Sequence, residues 1–116
     1  MSHAGCRSSG LITADTLVVT GQCKLISVHG YNNHATQTCT VKIYDNTAAG
    51  TAANQVAELI LPPHLSIITD DSSGGDQDAT QNTTIQIEAD YHGVICLTGL
   101  YVDVTGGTPR LTVEFA

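Results

Sequence analysis

The chain has 116 residues, 41% hydrophobic, 13% charged and without Trp, and its 11 acids against four bases leave a formal net charge of −7. That length suits one domain, which buries about two-thirds of its unfolded surface, and leaves no room for a second. The four bases, Arg7, Lys24, Lys42 and Arg110, are scattered. They form no basic patch for nucleic acid or an anionic membrane, and no apolar run approaches the ~20 residues that cross a bilayer.

Residues 1–16 contain no basic segment followed by an apolar run, so they read as a flexible N-terminal arm rather than a secretory signal. Synthesis in the cytoplasm is expected. Residues 17–116 read as a single domain. Leu17-Val18-Val19 and Leu25-Ile26-Ser27-Val28-His29 are short β-branched runs separated by Gly21 and Gln22, the composition of two strands. Thr38 to Tyr44 alternates with period two, placing Cys39, Val41 and Ile43 on one face and Thr40, Lys42 and Tyr44 on the other. Ala48 to Leu61 is ambiguous: Ala52, Ala53, Gln55, Ala57 and Glu58 favour helix, whereas Val56, Leu59, Ile60 and Leu61 suit a strand. Pro62-Pro63 ends whichever forms. Asp70 to Asn82 has no apolar periodicity and reads as an exposed loop.

Thr84 to Ala89 alternates again. Gly93-Val94-Ile95-Cys96-Leu97 is apolar on both faces, the pattern of a central strand covered on both sides. Leu100 to Val104 and Arg110 to Phe115 alternate and are joined through Thr105-Gly106-Gly107-Thr108-Pro109, which predicts a terminal β-hairpin. Seven to eight strands with no long helix predict an all-β domain, an antiparallel β-sandwich, jelly-roll-like, or a small barrel.

Residues able to do chemistry are not grouped. Asp70, Asp71, Asp76 and Asp78 are candidate Ca²⁺ ligands, but their order lacks the EF-hand glycine and bidentate Glu, and a solvated loop explains them. His3, His29, His34, His64 and His92 show no metal-binding spacing; His29 and His34 flank a turn and are the one pair to weigh. His92 and Cys96 stand ~13 Å apart on a strand, too far for a nucleophile and its base. Glu58, Glu88 and Glu114 read as exposed sheet residues rather than a glycosidase pair. Neither a nucleophile elbow nor a phosphate-cradling loop occurs. No catalytic residue, metal or cofactor is therefore expected, and the chain does not read as an enzyme. Asn82-Thr83-Thr84 matches a glycosylation sequon, of little weight without a signal. Cys6, Cys23, Cys39 and Cys96 are far apart in sequence and read as reduced thiols, Cys39 and Cys96 on apolar faces, with one disulfide left open. Tyr31, Tyr44, Tyr91 and Tyr101 are the candidate interface or ligand contacts, since an amphipathic ring on an outer strand face anchors a subunit or stacks on a sugar.

One pattern goes further. Lys24 to Val28, then Val41-Lys42-Ile43-Tyr44-Asp45 with a small-residue loop, then Gly93 to Val102 and a closing Leu111 to Phe115, resembles small virion structural proteins of tailed bacteriophages, including capsid decoration or cement proteins. What the resemblance implies is a β-sandwich, often a homotrimer, on the outside of the virion, whose partners are itself and the major capsid protein. The alternative is a carbohydrate- or receptor-binding module of a phage tail or fibre, with Tyr31, Tyr91 and the loops near His34 and Asp76 as contacts.

Overall fold

The computed structural model describes residues 6–63, 85–88 and 93–116, with the backbone alone for residues 85–88. Within them the chain forms β1 (Arg7–Ser8), β2 (Thr16–Thr20), β3 (Cys23–Asn32), β4 (Cys39–Tyr44), a 3-10 turn (Ala52–Asn54), β5 (Gln55–Leu61), β6 (Ile85–Glu88), β7 (Val94–Cys96), β8 (Gly99–Thr105) and β9 (Pro109–Phe115).

All pairings are antiparallel, and they nest. β4 pairs β5 beside the 3-10 turn, β3 pairs β6 and β7, β2 pairs β8, and β1 pairs β9. The chain is thus a long ribbon doubled back on itself and then rolled, so that β9 also meets β3 and β8 meets β4. Rolling yields two sheets, β1-β9-β3-β6 with β7 also on β3, and β2-β8-β4-β5. This is the strand order of a jelly roll. The sheets face each other and do not close into a barrel.

The core follows from alternation. Leu111, Val113 and Phe115 of β9 face Val41 and Ile43 of β4, Leu59 and Leu61 of β5, and Leu100 and Val102 of β8 in one buried cluster. β3 contributes Cys23 and Leu25, then Val28, because a bulge between Leu25 and Ser27 flips its alternation. Ser27, pushed to the outer face, donates a hydrogen bond to Glu114 opposite it.

Three expectations need correcting. Part of the supposed arm belongs to the sandwich: Arg7–Ser8 pair with Phe115 and Glu114, the Arg7 guanidinium lies 5.1 Å above the Phe115 ring, and Ile12 is buried against Leu111. Apolar burial and an aromatic face outweigh the entropy of a free terminus there. β8 and β9 do not form a hairpin, for they lie in different sheets. Gly106 and Gly107 both take positive φ as a tight turn requires, but Thr108 N–H is claimed by the side chain of Asn32, which steers the link across the edge of the core. The run from Gly93 to Leu97 is not central among the described residues, where β7 pairs β3 alone. In the ambiguous stretch, Thr51 caps the 3-10 turn through its hydroxyl and the strand then takes over, with Leu59 and Leu61 inward and Ile60 outward.

Candidate functional site

The tyrosines separate. Tyr44 and Tyr101 are direct cross-strand partners on the outer face of the β2-β8-β4-β5 sheet, in a row that runs Leu17, Tyr101, Tyr44, Gln55 across all four strands. Tyr44 in that row is only 5% exposed, so it is a packing residue and not the outward contact its place in the alternation suggested. Tyr101 is half-buried, and burial, together with the nearby Asp15 and Asp103 carboxylates, raises its pKa. Tyr31 lies on the other sheet, half-buried and opposite Arg110. Tyr91 lies outside the described residues, as do the Asp70 to Asp78 segment, His3, His64 and His92.

His29 and His34 do not converge. His29 stands on the outer face of β3 with its Nδ1 3.9 Å from Glu114, and His34 Nδ1 accepts backbone N–H bonds from Thr36 and Gln37. That leaves His34 Nδ1 engaged in shaping a turn. Ser27, Glu114 and His29 are neighbours, but the Ser27 hydroxyl is bound to the carboxylate and not to imidazole, so the three do not form the serine–histidine pair of a nucleophilic triad. Among the described residues no three His, Cys, Asp or Glu side chains are grouped to hold a metal. Glu58 sits across from Lys42, which itself faces Asp103. Asp103 is pushed upward by burial and by Asp15 beside it.

What stands out is β7. Ile95 and Leu97 are 61% and 63% exposed and Val94 37%, side by side at the end of the β3 sheet. Lys24 exchanges both backbone bonds with Ala116, so in the antiparallel ladder Cys23 and Leu25 direct theirs at β7 and the backbone of Ile95 points away from β3. A depression lined by Gln22, Cys23, Lys24, Ile95 and Ala116 adjoins this edge.

No protein-family model matches the chain, and neither does any curated protein or solved structure.

The β7 edge therefore has to be read from its own chemistry. A strand edge unpaired among the described residues, with exposed apolar side chains beside it, is a surface for another polypeptide. The turn that follows β7 is pinned: the Asp45 carboxylate accepts N–H bonds from Leu97, Thr98 and Gly99 at 3.0, 2.8 and 3.3 Å, which also lower the Asp45 pKa. The apolar run was visible in the sequence, but not its exposure. Side-chain pattern reports apolar character, whereas neighbours are assigned by how β6 and β7 share one edge of the ten-residue β3.

Proposed function

We propose that this chain is a structural protein of a bacteriophage virion, a capsid decoration protein that binds the outer surface of the shell and stabilises it as a homo-oligomer. The observation that carries the reading is the mismatch at β7: a run with the apolar character of a doubly covered strand, covered on one side only among the described residues. A second polypeptide, a sister copy or the major capsid protein, supplies the missing cover. Fold-level analogy adds to this, since jelly rolls build many virus shells, although the same architecture hosts lectins and enzymes.

Native mass and co-sedimentation with shells lacking the protein form the test. The chain should be an oligomer, a trimer on this reading, that pellets with shells and raises the temperature at which they open. Ile95→Glu with Leu97→Glu should abolish pelleting while the domain still folds. Each side chain is worth roughly 1–2 kcal/mol for the part now exposed, so affinity per copy falls about a hundredfold or more, and charge burial adds to the loss. A monomer that ignores shells but binds glycans would move the chain to a tail or fibre module, with Tyr31 as the contact to test.

A further inference from the structure

We propose that Cys23 and Cys96 form a reversible dithiol–disulfide couple that fastens β7 to β3. The two residues are direct register partners across the β3–β7 ladder. They occupy a hydrogen-bonded position, where Cα atoms stand about 5.5 Å apart, inside the span a disulfide bridges. Both side chains point into the same end of the core, Cys23 9% exposed and Cys96 0%. Their thiols interact: burial raises the pKa of each, the Cys96 thiol bonds to Cys23 and offsets part of the Cys23 rise, and Cys96 itself is pushed up to about 12. Cys39 is buried on β4 in the other sheet, and Cys6 is exposed near the N-terminus.

Closing the bond asks for a small movement. Disulfide Cβ atoms sit near 3.8 Å apart, whereas those of opposed residues at a hydrogen-bonded position are about 5.5 Å apart. β7 is three residues long, pairs only β3 among the described residues and begins after Gly93 at φ +74°, so it can be drawn in by that difference while the Asp45 bonds hold the turn that follows it. A bond made with some strain is more readily reduced than a relaxed one, which makes the couple reversible.

The oxidant is a low-molecular-weight disulfide of the glutathione class. Cys23 is the entry point, because it lines the depression with Gln22, Lys24, Ile95 and Ala116. Its thiolate attacks one sulfur of the small disulfide, forms a mixed disulfide and expels one thiolate, which takes up a proton. Cys96 then loses its proton to solvent, attacks the Cys23 sulfur and expels the second small thiol. Two protein thiols are oxidised and one small disulfide is reduced to two thiols, so electrons and protons balance. Because the attacking species are thiolates, oxidation is slow at neutral pH and accelerates by up to about tenfold per pH unit.

The test uses the full chain with Cys6→Ser, which removes the exposed thiol. The protein is equilibrated in reduced and oxidised glutathione at graded ratios, alkylated, and measured by intact mass and peptide mapping. The expected result is loss of two hydrogen atoms, Cys23 and Cys96 peptides joined, Cys39 alkylated, and a melting temperature raised by on the order of 10 °C. Cys96→Ala should stop at glutathione attached to Cys23; if that variant does not fold, the peptide map of the parent decides alone. Free Cys23 and Cys96 at the most oxidising ratio, or a bond to Cys39, overturns the couple. An oxidised protein that melts at the reduced temperature overturns the fastening of β7.

Discussion

Replacing Asn32 with Ala should cost this domain a large part of its stability. Asn32 is fully buried at the end of β3 and uses its whole amide: Nδ2 donates to the Gln37 carbonyl at 2.6 Å and the Leu61 carbonyl at 3.1 Å, while Oδ1 accepts from His34 N–H at 3.0 Å and Thr108 N–H at 2.9 Å. One side chain therefore joins the end of β5, the turn before β4 and the link between β8 and β9. At about 1 kcal/mol for each of the four bonds, less some recovery by water entering the vacated space, the loss is about 3–4 kcal/mol. A domain of this size has ~5–15 kcal/mol in total, and its melting temperature should fall by roughly 10–20 °C. Urea unfolding with the slope held constant is the assay. Asn32→Asp keeps the shape but sets a carboxylate against the Gln37 and Leu61 carbonyls, so it should be at least as damaging near neutrality and partly relieved in acid, where the protonated group can donate to one of them. A loss under about 1 kcal/mol for Asn32→Ala would refute the idea that this residue holds the two sheets in register.

Gly107→Ala should cost about 2–4 kcal/mol in the same assay, because its φ is +68° and a Cβ there would come within 2.7 Å of Asn32 Oδ1 and 2.9 Å of Cys39 Cβ. For Asp45 the sign is that of a depressed acid. The carboxylate bonds favour the ionised form, so their stabilisation is complete above the ordinary value of 3.8 and disappears as pH falls through the lower folded value; Asp45→Asn should flatten this acid limb and lower stability near neutrality. Asp103 has the opposite sign, since burial and Asp15 raise its pKa. Its penalty grows as pH rises from 3.8 through the raised value, and Asp103→Asn should leave stability near pH 7 unchanged or higher by a few tenths of a kcal/mol, solvent screening being strong and the Lys42 pairing being lost. Ile95→Glu with Leu97→Glu should leave the unfolding free energy of the domain, read by urea, within about 0.5 kcal/mol of the parent per site, while association, read by native mass, is lost.

Much of the all-β architecture was legible because period-two alternation is a local consequence of the pleat. Val41 and Ile43, or Leu111, Val113 and Phe115, declare their inner face within a few residues of chain. The same locality explains the misreadings. Tyr44 alternates outward as expected, but its burial depends on Tyr101 and Gln55, which arrive from two other strands. Thr105 to Pro109 has hairpin chemistry, yet its partner is Asn32, 76 residues away from Thr108. Nothing short-range marks Asn32 as different from Asn33.

Spacings of a few residues were enough to mark most of the strands, though not β1 or the choice of strand over helix before Leu61, to place most of the apolar faces, and to show that no local motif for catalysis or cofactor binding occurs in the chain. Only the assembled fold sets the nested pairing that makes a jelly roll, the placing of β7 at an edge unpaired among the described residues, and the meeting of Cys23 with Cys96. Those outcomes depend on register and on how long β3 is relative to the strands that share it. They are properties of pairing between distant segments, to which the local alternation of polar and apolar residues is indifferent.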